Sequence, residues 1–317
     1  MALHEVIVGL VEGLKMPFTY LIDTEQRVHF LYLFSSVVLA YYVYRSTKQK
    51  VSFTSYFFDK KVWLSQSAFV DYGLLFFNGV FKVFLIGPYL VLGFYLAHRI
   101  EGFLPSIFGY PNGSMSVMAT IVWYTIALTL LGDFATYVVH YFMHRIPFFW
   151  EFHKIHHAAT VLNPFTQYRI HPVELIINNA KGILVFGLIT GLFQYLSVNP
   201  IEQITFIGAN VLSFAFLFFG ANLRHSHVPL KYFNWIEYVF ISPYQHQIHH
   251  SDNPLHFNKN IGSKLAIWDW MFGTLIKSKE VNQIKFGIGE VEKPRYNSTF
   301  KNLYMPFRNL VSSIFRK

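Results

Sequence analysis

The sequence predicts an all-α integral membrane protein, with about four to five transmembrane helices and a histidine-rich cytoplasmic cap that holds a dinuclear metal site. Three observations lead to this prediction. The chain of 317 residues is 53% hydrophobic and 14% charged, and it contains apolar runs long enough to cross a bilayer. Many of its 15 histidines form clusters with helical spacing. Its 26 basic residues are distributed unevenly among the segments that join the apolar runs.

Five apolar runs are candidates for the transmembrane helices. The first is only marginally long enough to span a bilayer, and the second is interrupted by Asp71 and Lys82. The last two are joined by Ser197-Val198-Asn199-Pro200, a turn composition that predicts the tip of a helical hairpin. In chain order the runs cover 28–44, about 69–97, 116–143, about 173–196 and 201–222.

Most of the basic residues fall in three segments, 45–68, 140–172 and 222–317. Because Lys and Arg are enriched in cytoplasmic loops, we expect these segments in the cytoplasm and the turn near Asn199 on the other side. The clustered histidines then all lie on the cytoplasmic side of a multi-pass protein, in either a bacterial inner membrane or the endoplasmic reticulum. The formal charge is +9, but the basic residues form no arginine-rich or aromatic-interleaved block. We therefore expect no nucleic-acid partner.

The chain contains no cysteine. This excludes disulfides, thiolate zinc sites and an iron–sulfur cluster held by the protein itself. Electrons for any redox reaction must therefore come from outside the chain.

Two copies of one histidine spacing predict a metal-binding surface. His153-x-x-His156-His157 and His246-x-x-His249-His250 share this spacing, and His140-x-x-x-His144 precedes them. Residues three and four apart lie on one face of a helix, so each cluster gathers its imidazoles. One such pair alone is weak evidence, because two histidines on a helical face are often a polar rim. Three clusters on the same predicted side favour a metal site.

The number of candidate ligands predicts two metals, because ten histidines are too many for one ion of coordination number four to six. Neutral imidazole suits zinc, copper, iron and nickel, so ligand type leaves the metal open. In Arg224-His225-Ser226-His227 at least one histidine is expected to face away from the metal, and His225 is favoured as the ligand. The candidates are His140, His144, His153, His156, His157, His171, His225, His246, His249 and His250.

Carboxylates that could orient these imidazoles lie within a few helical turns of them. Asp133, Glu174 and Asp269 are the candidates, since metal-bound histidines commonly donate their second N–H to such groups. The alternative is structural, with these acids paired to Arg145 or Arg169. Both interpretations stay open, and Arg145 is included among the candidate residues around the metal centre.

Further motifs surround the histidines in a fixed order between about 133 and 275. They are Asp133-x-x-x-Tyr137-x-x-His140-x-x-x-His144-Arg145, Trp150-x-x-His153-x-x-His156-His157, Arg169-x-His171-Pro172-x-Glu174, His246-x-x-His249-His250, Asn260-x-Gly262 and Trp268-Asp269-x-x-Phe272-Gly273-Thr274. Together they resemble the fatty acid hydroxylase and sterol desaturase superfamily. We expect residues 1–317 to form a single domain of this kind, with 276–317 as a cytoplasmic tail.

The resemblance implies a membrane-embedded non-haem di-iron oxygenase that uses O2. Its ligands would be the ten histidines above, holding two irons, for which zinc is an expected substitute in purified protein. His171 stands in the family's H-P-x-[ED] motif. His225 matches a lone family histidine, but His227 replaces a family asparagine, so the choice between them stays open. No cytochrome b5-like extension is visible, so we expect a separate donor, cytochrome b5-like or of ferredoxin type.

The function implied is oxidation of a C–H bond in a membrane lipid, with hydroxylation favoured and desaturation as the alternative. Sterols, fatty acyl chains, sphingoid bases and glyceryl ethers are all open as substrates, and the motif order is closest to glyceryl-ether monooxygenases and their bacterial relatives. A histidine-rich metal transporter or a non-catalytic metal-binding scaffold is the rival interpretation. A metalloprotease is disfavoured, because neither cluster contains H-E-x-x-H.

Overall fold

The structure is a computed structural model that describes residues 3–111, 113–197, 199 and 201–315. It is mostly helical, with one short antiparallel pair of strands, β1 (Thr205–Phe206) and β2 (Ala209–Asn210). The α-helices are α1 (Leu3–Thr19), α2 (Phe30–Ser46), α3 (Phe53–Phe57), α4 (Lys60–Trp63), α5 (Gln66–Leu85), α6 (Leu92–Phe108), α7 (Val117–Arg145), α8 (Pro147–His157), α9 (Pro172–Leu196), α10 (Val211–Phe218), α11 (Pro243–His249), α12 (Ile267–Met271) and α13 (Thr299–Ile314).

Three of the described helices, α5, α7 and α9, are long and apolar enough to cross a membrane. The longest, α7, has 29 residues and is therefore about 43 Å long, more than the hydrocarbon thickness of a bilayer. Its last turns, which carry His140 and His144, can thus extend beyond the apolar layer. α2 and α6, with 17 residues each, lie at the lower limit for a span.

The run 201–222 does not form the transmembrane helix that the sequence predicted. Its described residues form β1, β2 and α10, and α10 has eight residues, about 12 Å of helix. Ile207 and Gly208 adopt left-handed backbone conformations, with φ of 50° and 81°, which turn the chain instead of continuing a helix. Asn210 then caps α10 by accepting from the N–H groups of Leu212 and Ser213. Val198 and Pro200, in the predicted hairpin tip, lie outside the described residues.

The run 69–97 also differs from the prediction of one continuous span. It divides into α5 and the first part of α6, separated by the short 3-10 helix Gly87–Tyr89. Pro88 lies in this break, and a proline has no N–H with which to continue a helical ladder. The two halves therefore pack separately, α5 against α1 and α6 against α9.

Glycines permit these helices to approach each other closely. A Cβ atom at Gly13 of α1 would lie 2.5 Å from the Cα atom of Val80, and one at Gly191 of α9 would lie 2.5 Å from the carbonyl oxygen of Ala97. Small residues at such contacts are typical of helices that associate inside a bilayer, where close van der Waals packing replaces the hydrophobic effect. The chain is accordingly a membrane protein.

The histidine-bearing segments meet where α7 ends and α9 begins. α8 follows α7 directly and contacts both α7 and α9, while α13 packs against α8 and α5. A buried apolar cluster joins these elements, with Leu74 of α5, Ile155 of α8 and Met305 of α13 among its members. The segment after 276 is therefore part of the structure that supports α8.

A buried ion pair fixes α8 relative to α5. Arg169 and Asp71 are 1% and 0% exposed, and their Nη1 and Oδ1 atoms lie 3.2 Å apart. Arg169 also donates to the carbonyl oxygens of Ile155, at 2.8 Å, and Tyr296, at 3.1 Å. This arginine thus joins α5, α8 and the C-terminal segment, and it pairs with Asp71 instead of with the acids proposed near the metal.

We predict that Arg169→Met destabilises the protein by about 3–5 kcal/mol, because it leaves the Asp71 carboxylate buried without its counter-charge. Unfolding in neutral detergent would measure the loss. Arg295→Met is the matched control: Arg295 is 51% exposed and paired with Glu292, and such pairs contribute about 0–1 kcal/mol. Equal stability of the two variants would contradict a supporting role for the buried pair.

Candidate metal centre

The structure brings nine of the ten candidate histidines into two groups. In each group one ring nitrogen per histidine lies within 4.8 Å of the others. The five-histidine group consists of His140, His144, His153, His157 and His249, and the four-histidine group consists of His156, His225, His246 and His250.

Each repeated histidine motif supplies ligands to both groups. On α8 the residues four apart, His153 and His157, belong to the five-histidine group, whereas His156 belongs to the other. At α11 the pair four apart, His246 and His250, belongs to the four-histidine group. The remaining residue, His249, belongs to the five-histidine group. Because positions i and i+4 are nearly eclipsed and i+3 lies to one side, one spacing can serve two neighbouring ions.

Local signals fix where these two helices begin. α8 starts with Pro147, at a position where the missing N–H has no intrahelical partner to lose. α11 starts after Ser242, whose hydroxyl accepts from the N–H of Gln245 while the Gln245 side chain accepts from the N–H of Ser242. This reciprocal capping box sets the register of His246 and His249.

The nitrogen positions fit a metal. The Nε2 atom of His153 lies 3.1 Å from the Nε2 atoms of both His140 and His157. The Nε2 atoms of His225 and His246 are 3.0 Å apart. Metal–nitrogen bonds of about 2.0–2.1 Å separate adjacent ligand nitrogens by roughly 3.0–3.4 Å, so these distances match the edges of a coordination polyhedron.

Unpaired nitrogens support the same conclusion. The Nε2 atoms of His144 and His249 are buried and have no hydrogen-bond partner in the described part of the chain. A buried nitrogen lone pair without a partner is costly. A cation at the centre of the group would satisfy both.

The two groups are adjacent. The rings of His157 and His250, one from each group, stack with centroids 4.6 Å apart. The ring of His249, from the five-histidine group, is also 5.4 Å from those of His246 and His250, from the other group. The arrangement therefore suits a dinuclear centre with no intervening protein layer.

The imidazoles are held neutral, the form that binds metal. Burial lowers the pKa of His156, His225, His246 and His250 well below the ordinary value, and neighbouring positive charge adds to the effect. Burial also lowers the pKa of His249 to about 3.

Three rings are oriented by acceptors at their outer nitrogens. The Nδ1 atom of His140 lies 2.6 Å from the carbonyl oxygen of Ile261, and that of His249 lies 2.9 Å from the carbonyl oxygen of Lys259. The Nδ1 atom of His153 lies 3.0 Å from Oε1 of Glu174. Each contact favours the tautomer that carries its proton on Nδ1, which leaves Nε2 free to bind an ion.

His246 differs from these three. Its Nδ1 atom lies 2.8 Å from Nη2 of Arg224, which can only donate, and its Nε2 atom faces His225 and His250. The outer nitrogen of this ring therefore meets a guanidinium group, where the outer nitrogens of the other three rings meet an oxygen. Arg224 was not among the residues predicted from the sequence, although it directly precedes His225.

The other two candidate acids act on a loop instead of on a histidine. Asp269 accepts from the N–H groups of Ile261 and Gly262, at 2.8 and 2.7 Å. Asp133 accepts from the N–H groups of Lys264 and Leu265, at 2.9 and 3.0 Å. Burial raises the pKa of Asp269 to about 6, and hydrogen bonds from Thr274, Gly262 and Ile261 oppose the rise. Both acids thus hold the loop whose Ile261 carbonyl orients His140.

Asn260, from the same loop, has a positive φ of 51°, a conformation that asparagine tolerates better than most residues. Its amide donates to the carbonyl oxygen of Gln245 and accepts from the N–H of Ile276. The loop is therefore tied to α11, which carries His246 and His249 and ends just before His250. Backbone acceptors such as Lys259 and Ile261 leave no signal in the sequence, so they could not have been predicted.

Two predicted site residues, His171 and Arg145, lie elsewhere, and so does His227, the alternative to His225. His171 caps α9, with Nδ1 accepting from the N–H of Val173 and Nε2 lying 3.0 Å from the carbonyl oxygen of Leu303. Both of its nitrogens are used, so the structure separates it from the ligand groups. His227 contacts the carbonyl oxygen of Tyr56 at 2.7 Å, which leaves His225 as the member of that pair in the centre. Arg145 is exposed and lies over the Tyr141 ring.

Two cavities open onto the centre. The first, of about 320 Å³, lies between α7 and α9 and contacts both groups, through His140, His153, His156, His225 and His246. The second, of about 370 Å³, contacts only the five-histidine group, through His144, His157 and His249. We call them the α7–α9 cavity and the Trp150 cavity, since Trp150 lines the second.

Comparison with known proteins gives a family assignment for the region around the centre. Residues 125–274 match the sequence model of the fatty acid hydroxylase family. An alkylglycerol monooxygenase of Caenorhabditis elegans is 29% identical over 59% of this chain and 33% of its own length. The ornithine lipid hydroxylase OlsE of Rhizobium tropici is 28% identical over 52% of this chain and 45% of its own length.

A further relative, the Delta(7)-sterol 5(6)-desaturase erg3B of Aspergillus fumigatus, is 25% identical over 53% of this chain and 43% of its own length. This chain thus spans between a third and a half of the length of these relatives. No solved structure matches the chain.

We predict about two metal ions per chain, one for each histidine group. His249→Ala should lose the ion of the five-histidine group and His225→Ala that of the four-histidine group, so elemental analysis of each variant should report about one equivalent. His171→Asn, which keeps a residue suited to the N-cap position, should retain both. A wild-type protein with one equivalent, or the loss of metal only in His171→Asn, would contradict this assignment.

Proposed function

The chain belongs to the fatty acid hydroxylase superfamily, and on that basis we propose that it is an O2-dependent, di-iron enzyme that oxidises a C–H bond of a membrane lipid. The observation that carries this proposal is the pair of adjacent histidine groups that face a common cavity between two membrane-spanning helices. That position would let a lipid reach the centre from the bilayer.

Bound iron would supply the activation of O2 and the removal of hydrogen from carbon, and the protein supplies position and environment. The nine clustered histidines would hold the ions, with Glu174 and the carbonyl oxygens of Lys259 and Ile261 keeping a proton on the outer nitrogen of their partners. Burial of the ligands excludes bulk water from the centre. Met143 and Val139 of α7 give the cavity an apolar wall for a lipid chain.

We favour hydroxylation over desaturation. Hydroxylation consumes O2, two electrons and two protons, places one oxygen atom in the lipid and releases the other as water. Desaturation removes two hydrogens and needs a second abstraction before oxygen can be transferred. Relatives named as a monooxygenase and as a hydroxylase support oxygen insertion, and a relative named as a sterol desaturase keeps the alternative open.

A histidine-rich transporter is the rival from another class. Transport would need ligands spaced along a path across the membrane, whereas the nine clustered histidines lie together near the end of α7 and the start of α9. This gathering supports catalysis. The electrons would come from a separate donor protein, cytochrome b5-like or of ferredoxin type, acting on the cytoplasmic side.

The reaction can be tested in lipid extracts of cells that express the chain with an electron donor. Under labelled O2, hydroxylation should yield a lipid heavier by one labelled oxygen atom. His156→Ala and His249→Ala, each of which removes a ligand from one group, should abolish the product, whereas His227→Ala should retain it. Loss of two hydrogens without label would indicate desaturation instead. Identical lipid profiles for the wild type, His156→Ala and His249→Ala would refute the proposal that the chain is a lipid-oxidising enzyme.

The orientation can be tested by cysteine labelling, since the native chain contains no cysteine. We predict that Asn282→Cys, at an exposed site after the last histidine cluster, is labelled by an impermeant reagent only after the cells are opened. Tyr110→Cys, in the exposed turn between α6 and α7, should be labelled in intact cells. The reverse pattern would place the metal centre on the other side of the membrane.

A further inference from the structure

The α7–α9 cavity is unusual because its wall near the histidines is polar and carries charge. Arg27, Lys82 and Glu25 line it together with the histidines and with Glu174. An alkyl chain alone would gain nothing from these side chains. Their presence indicates that a polar part of the ligand enters the cavity.

Arg27 is the cation that lacks a partner. In the part of the chain that the structure describes, no carboxylate lies within ion-pair distance of its guanidinium group, and its side chain forms no hydrogen bond. The other cations are engaged: Lys82 donates to the hydroxyl of Tyr20 at 3.0 Å, and Arg224 donates to the carbonyl oxygen of Ser263 and to His246. A cation that lines a cavity without an ion-pair or hydrogen-bond partner for its side chain is a candidate anion site.

The position of Arg27 is set by its backbone. Its carbonyl oxygen accepts from Nδ2 of Asn222 at 2.6 Å, which ties the loop between α1 and α2 to the segment that carries His225. Its charge lowers the pKa of both Arg224 and His225, after the larger effect of burial, as expected for a guanidinium near those side chains. Substitution of the Arg27 side chain leaves the backbone contact intact.

We propose that Arg27 binds the anionic headgroup, a phosphate or a carboxylate, of the lipid substrate. This inference rests on the proposed function and specifies its substrate class. A charge-assisted, bidentate contact with Arg suits either anion. Glu25 lines the same cavity and is exposed, so it lies at the polar mouth of the cavity. Its negative charge would oppose binding of the anion.

The size of the cavity then limits which carbon is oxidised. A volume of about 320 Å³ is roughly ten times the volume that one water molecule occupies in the liquid. It therefore accommodates a headgroup and only the first several carbons between Arg27 and the histidines. The oxidised carbon should accordingly lie near the headgroup and not at the far end of the chain.

Binding can be measured without turnover. The full-length, metal-loaded protein would be placed in nanodiscs of phosphatidylcholine, and equilibrium binding of radiolabelled hexadecyl phosphate and hexadecanol would be compared after subtraction of empty nanodiscs. Arg27→Gln should weaken hexadecyl phosphate binding about 10- to 100-fold and leave hexadecanol binding unchanged. Arg27→Lys should retain most of the wild-type affinity for hexadecyl phosphate. Glu25→Gln should tighten hexadecyl phosphate binding by about two-fold.

Arg99→Gln is the matched control, because Arg99 is exposed on α6 and lines neither cavity at the centre. Metal content equal to that of the wild type shows that each variant is folded. The headgroup site would be overturned if Arg27→Gln bound hexadecyl phosphate as tightly as the wild type does. It would also be overturned if the substitution weakened the binding of hexadecyl phosphate and of hexadecanol equally. Displacement of hexadecyl phosphate by millimolar inorganic phosphate would overturn the lipid assignment and indicate a site for the free anion.

The same proteins separate this inference from the proposed function. A wild type that distinguishes the phosphate from the alcohol through Arg27, yet oxidises no lipid, would refute the enzyme and retain the headgroup site. A wild type and Arg27→Gln that oxidise anionic and neutral lipids equally well would refute the headgroup site and retain the enzyme.

Discussion

The structure depends on one constraint, the clustering of nine imidazoles, seven of them buried and two half-buried, with nitrogens turned toward each other. A neutral imidazole has one N–H donor and one lone pair, so a cluster of facing Nε2 atoms cannot satisfy itself by hydrogen bonds alone. Fixing the proton on the outer nitrogen, as the Ile261 and Lys259 carbonyls do for His140 and His249, leaves inner lone pairs that face each other, an arrangement that a cation would stabilise. The surrounding contacts determine which way these rings point.

Those contacts explain why residues far from the centre in sequence belong to it. Asp269 and Asp133 bind N–H groups of the loop that presents the Ile261 carbonyl, and Asn260 ties the same loop to α11. Arg169 holds the carbonyl of Ile155, next to His156, against Asp71. The chain thus positions the imidazoles partly through backbone carbonyls and partly through side chains such as Glu174, Arg224 and Trp150.

The sequence predicted which histidines lie together where helical spacing determined it. The i, i+3, i+4 pattern of α8 and α11 implied shared faces, and the structure groups those six histidines as two interleaved sets. It predicted poorly where composition was the only signal. The apolar run from 201 to 222 contains a turn at Ile207 and Gly208 that its hydrophobicity does not reveal. His171 lies in a motif typical of a ligand, but in the structure it caps α9. Arg27 precedes an apolar run, and its place on the same cavity as His225 depends on a tertiary contact between its carbonyl oxygen and Asn222.

The two histidine groups are not equivalent, and the difference bears on the proposed reaction. An ion of coordination number up to six would keep more free positions when four histidines hold it than when five do. The four-histidine group would therefore leave its ion more open than the five-histidine group. It also meets the α7–α9 cavity alone, whereas the five-histidine group is exposed to the Trp150 cavity as well. If the chain oxidises a lipid as proposed, an ion that faced only the α7–α9 cavity and kept free positions would be the better placed to act on a lipid carbon. The five-histidine group, which contacts both cavities, would then be the one within reach of electrons and protons that arrive from the Trp150 side.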